Sequence, residues 1–263
     1  MLALHLLIFI ALLLTTQIGG LLYLVAFIIG MMAKNLFNVH RLVSLAIMLV
    51  VLGGGWYAAY LLLPKVSYPS AGTAPTACTP HNGVRAAHQI YCITFRNYAD
   101  NRVNRVLEDL ASKMPQDENK PVEIVVMDSG FPFPHWAFPM LPHSEHRQAV
   151  QVDIALWYEG QVQPSPIGYY AFSQPGGENP SANCPDELGT GPLGKQGVPA
   201  IDAERTSQAL QILSTLPYVE RVEVAQHVLD LAGEVKEGSV LTFPGCDAGP
   251  LSDRIRITVT PSQ

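Results

Sequence analysis

Apolar positions divide the chain into two parts with different periods. Residues 2 to 33 are almost continuously apolar, interrupted by Thr15, Thr16, Gln17, Gly19 and Gly20. A second apolar run covers residues 42 to 63, with Gly53, Gly54 and Gly55 near its middle. Each run is long enough to cross a hydrocarbon core of roughly 30 Å as a helix. No basic stretch precedes the first run, and the run is about twice as long as the apolar core of a signal peptide. The pattern predicts transmembrane helices over 1–33 and 42–64, joined by a loop over 34–41. Residues 65–83, rich in proline, glycine and small side chains, read as a linker.

Beyond residue 84 the pattern becomes that of a folded domain, 84–263. Val103, Val106, Leu107, Leu110 and Ala111 form a stripe at helical spacing within a mainly helical stretch, 85–114, closed by Pro115. Val122 to Val126 reads as a buried strand. From Val150 the apolar residues alternate (Val152, Ile154, Leu156, Tyr158), which leaves Asp153, Ala155 and Trp157 on the other face. Asp202 is placed to cap a helix through Leu216. Val219 to Val224 and Val240 to Phe243 read as strands, with a short helical piece around His227 between them. The final run puts Ile255, Ile257 and Val259 on one face and Arg254 and Arg256 on the other. Residues 164 to 172 read as a turn entering a strand, and 174 to 200 as a long surface loop. The expected class is α+β, with flanking helices on a largely antiparallel sheet.

Charge sets the orientation. The loop between the apolar runs carries Lys34 and Arg41 and no acid, which directs it to the cytoplasm, although Lys65 argues weakly the other way. Two crossings then put both the N-terminus and the domain outside an inner membrane. All 22 acidic residues follow residue 65, against 13 of the 16 basic ones, so the outer part carries 13 − 22 = −9. It has no basic stripe, which excludes nucleic acid as a partner. Cys78, Cys92, Cys184 and Cys246 all lie in this outer part. In an oxidising compartment they would form two disulfides, with three possible pairings; four buried thiols are the alternative.

The chemistry-bearing stretch is Pro142-His143-Ser144-Glu145-His146, with Asp153 seven residues after His146. A loop histidine beside a strand carboxylate suits zinc, but zinc also needs a third protein ligand and an open position for water before it can hydrolyse anything. An aromatic and proline-rich loop, Gly130 to Pro139, precedes the stretch; it would serve either to hold a substrate or to cover a core edge. His135, His227, Cys246 and Asp247 are further candidate donors, whereas His81 and His88 read as surface residues.

The run Ser144-x-His146-x6-Asp153, with His143 three residues earlier, resembles the first zinc motif of the LAS-type metallopeptidases, and most of all the murein endopeptidase branch. The Phe-Pro-rich loop, the Pro164-Ser165-Pro166-Ile167-Gly168-Tyr169 turn, Phe243-Pro244-Gly245-Cys246 and the two-span start with Thr16-Gln17-Ile18-Gly19-Gly20 extend the likeness over most of the chain. The resemblance implies His146 and Asp153 as metal ligands and His143 as an assisting histidine. The family's second motif, of the type His-Asp-Asp-His-x-His, aligns with Leu251-Ser252-Asp253-Arg254-Ile255-Arg256. All three of its histidines are absent, and Arg256 stands at the third-ligand position.

Arginine has no lone pair to donate, but its guanidinium can neutralise a carboxylate and bind it bidentately. The sequence therefore predicts Arg256, with Arg254, standing in for the cation beside Asp153; the alternative has both arginines facing solvent. The corresponding function is a membrane-anchored envelope protein with a non-catalytic domain and no cofactor, binding peptidoglycan peptide or a protein partner. An active zinc peptidase with the site completed by another donor is the second reading. The third is a subunit of a larger membrane assembly, with the membrane glycines at its interface.

Overall fold

A computed structural model describes residues 2–115, 122–133, 148–159, 201–225, 228–229, 241–242 and 254–260. The first apolar run is two helices rather than the single one expected over 1–33: α1 (Leu2–Thr16) and α2 (Gly19–Phe37). The chain reverses at Gln17, whose φ of 59° lies in the left-handed region. The Thr16 hydroxyl donates back to Leu12 O (2.6 Å) and accepts from Gly19 N (2.9 Å), closing one helix and starting the next. Glycine is required here, because a Cβ on Gly19 would lie 2.3 Å from Thr16 Oγ1 and 2.7 Å from the Trp56 ring. On Gly20 it would meet Leu13 Cβ at 2.7 Å. The two helices run antiparallel, with His5 Nδ1 2.7 Å from the Tyr23 hydroxyl. The start of α1 therefore points away from the domain that Gln17 contacts. At 1.5 Å per residue α1 is about 22 Å long, short of a hydrocarbon core.

α3 (Arg41–Ala71) is longer than predicted and absorbs the start of the expected linker. It passes through Pro64 and Pro69 and ends where Gly72 adopts φ 69° and donates to Tyr68 O. Among the described residues, α2 and α3 are the two helices long and apolar enough to cross a membrane. After α3 the chain goes straight into β1 (Thr73–Pro75), which pairs antiparallel with β3 (Tyr98–Asp100). Ser67 Oγ donates to Thr73 O (3.1 Å) and Thr73 Oγ1 to Pro132 O (2.6 Å), so this stretch is docked rather than a free tether. Composition suggested a linker; tertiary hydrogen bonds decide otherwise.

The domain adds β2 (Val84–Ala86), α4 (Gln89–Ile93), α5 (Asn101–Lys113), β4 (Ile124–Asp128), β5 (Gln151–Ala155), α6 (Ala203–Leu213), β6 (Val219–Glu223), β7 (Leu241–Thr242) and β8 (Arg254–Val259). The helix expected over 85–114 is thus two helices around a strand. Phe95, at φ 58°, ends the first, and the Asp100 side chain accepts from Arg102 N to start the second. Asp202 caps α6 as predicted, accepting from Arg205 N at 3.0 Å, although the helix stops at Leu213.

Six strands form one sheet in the order β2-β4-β5-β8-β6-β7. The three central pairings are antiparallel, while β2–β4 and β6–β7 are parallel, so the sheet is mixed. One face carries the core: Leu107, Leu110, Leu210 and Leu213 from α5 and α6 pack with Val152, Ile154, Ile255 and Ile257. The alternation in β5 and β8 turns Asp153, Arg254 and Arg256 to the opposite face, which is also closed to solvent. Cys78 and Cys92 form a disulfide. Cys184 and Cys246, the turn over 164 to 172 and the loop over 174 to 200 lie outside the described residues.

Candidate functional site

The centre of the sheet holds an ion-paired row. Asp153 on β5 is fully buried, and β8 sets Arg256 directly opposite it and Arg254 opposite Ala155. Being two residues apart on one strand, both arginines present the same face. Arg256 Nε donates to Asp153 Oδ1 at 3.0 Å, and Arg254 Nε lies 3.1 Å from Oδ2 as an ion pair. The arginines are 3% and 4% exposed. The alternative that they face solvent is therefore excluded.

The row extends to both sides. Asp128, at the end of β4, is the cross-strand partner of Asp153 across an irregularity in the ladder. Two carboxylates side by side repel unless each is neutralised. Arg96, from the turn after α4, supplies the second neutralisation: its Nε is 3.2 Å from Asp128 Oδ1 and its guanidinium also reaches Oδ2. That guanidinium lies over the Phe131 ring, 6.0 Å from the centroid. On the far side β6 sets Glu223, 7% exposed, opposite Arg256. Arg221 Nε lies 3.4 Å from the Glu223 carboxylate at the more exposed edge. The buried set holds Asp128, Asp153 and Glu223 against Arg96, Arg254 and Arg256, three charges of each sign. Such a row is neutral as a whole, but loss of any one partner leaves a buried charge at a cost of about 3–5 kcal/mol.

Among the described residues, the surroundings of Asp153 do not suit a zinc ligand. Both oxygens of Asp153 are engaged by guanidinium nitrogens, and Arg256 offers hydrogen-bond donors where a ligand needs a lone pair. A divalent ion at Asp153 would also lie against two fixed positive charges. Among the described residues no group of three or more His, Cys, Asp or Glu side chains is arranged to hold a metal. His143 and His146 lie outside the described residues, as do His135, His227, Cys246 and Asp247. His88 caps α4, accepting from Ile90 N at 3.0 Å, and His81 is exposed.

A separate cleft of about 420 Å³ opens beside β1 and α5, lined by Thr76, His81, Asn101, Asn104 and Glu108, none of them part of the row. A third cluster joins the domain to the apolar N-terminal helices. Leu63, Phe95 and Tyr98 are buried there together, with Ile18, Trp56 and Phe133 packed against them. Gln17 bonds both backbone groups of Phe133, and Trp56 Nε1 donates to Ile93 O at 2.8 Å. Burial, reinforced by the neighbouring Tyr60, pushes the Tyr98 hydroxyl well above the ordinary phenol range.

Sequence reasoning located Asp153, Arg254 and Arg256 and missed Arg96, Asp128 and Glu223. The signal for Asp128 was an acid ending the apolar run Ile124-Val125-Val126-Met127; its Arg96 partner, 32 residues away, left no local signature. No family model matches the chain, and no curated protein matches it.

Proposed function

We propose that the protein is a membrane-anchored envelope protein whose outer domain has the layout of a murein-endopeptidase-like domain without its metal chemistry. In this reading the domain is a non-catalytic module that binds peptidoglycan peptide or an envelope protein. The observation that supports it is the Arg254–Asp153–Arg256 triad: a carboxylate that the resemblance assigns to a cation is held by two buried guanidinium groups instead. Lys34 and Arg41 at the α2–α3 turn favour a cytoplasmic turn and an extracytoplasmic domain. Incubating the full-length chain in detergent with purified muropeptides tests the reading. Retention of the peptides uncleaved is expected; release of shortened peptides, abolished by His146→Ala, would contradict it.

A second reading, a subunit of a membrane assembly, draws on α3. A Cβ on Gly53 or Gly54 would meet no atom within 4 Å, so this helix face is open to close approach by another helix. A complex that survives mild detergent and is lost on Gly54→Leu would favour it.

A further inference from the structure

We propose that α4 is a membrane-surface foot, seating the outer domain on the bilayer by inserting Ile90 and Ile93 into the outer leaflet. The inference rests on α2 and α3 spanning the membrane. Among the described residues after α3, three large apolar side chains are exposed: Ile90 (47%), Ile93 (54%) and Tyr218 (43%). Two of the three share one five-residue helix that carries no acid or base. That helix lies against the membrane bundle, because Trp56 of α3 donates to Ile93 O and stacks on Phe95 with centroids 5.5 Å apart.

Height along α3 fixes where this contact falls. Trp56 is 56 − 41 = 15 residues beyond Arg41, about 22 Å at 1.5 Å per residue. A hydrocarbon core starting near Arg41 extends roughly 30 Å. Ile93 therefore sits several ångströms inside the outer boundary, the depth at which interfacial apolar side chains lodge. Tyr57 and Tyr60, exposed on the same helix, fit the aromatic belt of that boundary.

The backbone of α4 is prepared for lipid as well. Polar groups facing hydrocarbon must find partners within the protein. Ile90 N donates to His88 Nδ1, Ile90 O accepts from both the backbone and the hydroxyl of Thr94, Cys92 O accepts from Phe95 N, and Ile93 O takes the Trp56 indole. Arg96, the nearest cation in sequence, is turned inward onto Asp128.

Photo-crosslinking decides the matter. A benzophenone amino acid is placed singly at Ile90, Ile93, Val25 and Asp109 of the full-length chain in vesicles of phosphatidylethanolamine and phosphatidylglycerol. Lipid adducts are then read by mass spectrometry. The expected result is acyl-chain adducts at Ile90 and Ile93 at a yield comparable to Val25 on α2, with none at Asp109 on the outer face of α5. Adducts at Val25 alone would overturn the foot while leaving the membrane helices standing. Absence at all four would overturn the membrane reading beneath it. A protein adduct at Ile93 would overturn the lipid assignment in favour of a docked polypeptide. Both foot positions are exposed, so if one probe impairs folding the other supplies the same readout.

Discussion

The charged row in the sheet and the seat on the apolar N-terminal helices solve opposite problems. The row buries full charges in the middle of the domain, where each of Asp128, Asp153 and Glu223 persists only because an arginine faces it. The seat contains no ion pair among the contacts described: it is built from Gln17, Trp56 and Thr73 donating to backbone carbonyls of the domain, around the ring of Phe95. Neutral hydrogen bonds of this kind contribute about 0.5–1.5 kcal/mol each. A stranded buried charge costs several times more. The row should therefore fail sharply when one member is removed, and the seat should loosen by degrees.

The largest effect is expected at Arg256. Arg256→Ala leaves Asp153 and Glu223 under-neutralised and should lower stability by about 3–5 kcal/mol, read as a fall in the thermal midpoint of the detergent-solubilised chain. Replacing Asp153, Glu223, Arg254 and Arg256 together by Leu, Gln, Met and Met removes two charges of each sign and leaves Arg96 paired with Asp128. That quadruple variant should be far more stable than Arg256→Ala, and a quadruple variant no better than the single would break the account of the row.

Next comes the seat. Gln17→Ala should cost about 1–2 kcal/mol, because it strips partners from both backbone groups of Phe133. Trp56→Phe keeps the stacking on Phe95 but drops the bond to Ile93 O, and should cost about 1 kcal/mol. Protease sensitivity between residues 72 and 100 is the direct readout, and unchanged protection in both variants would contradict the seat.

How far the residues alone foretold these two regions differs for the same physical reason. Two-residue periodicity is local, so the alternation in Val152–Leu156 and Ile255–Val259 was enough to put Asp153, Arg254 and Arg256 off the core face. Register is not local, yet the proposed Asp153–Arg256 contact holds because β5 and β8 pair with those two residues opposite. The seat left no such trace. Gln17 reverses an apolar run that contains no proline there, and residues 73–75 become a strand only through pairing with 98–100. Both depend on partners far along the chain, and neither changes the composition of its own segment.

Two smaller predictions sharpen the contrast. The Tyr98 hydroxyl has its pKa raised in the folded state, so its contribution is intact below the ordinary phenol value near 10 and is lost as pH climbs beyond it. Stability should fall on alkaline titration above about pH 10, and Tyr98→Phe should flatten that fall. Asp202→Ala, which removes the α6 cap far from both regions, should cost about 1 kcal/mol and leave seat and row unaltered.

The measurement closest to the central claim is the zinc content of the purified full-length chain after exposure to zinc and removal of free metal. The account predicts no stoichiometric zinc, and no change on His146→Ala. One equivalent bound per chain and released by His146→Ala would mean that Asp153 serves a cation after all, and that the arginines do not stand in its place.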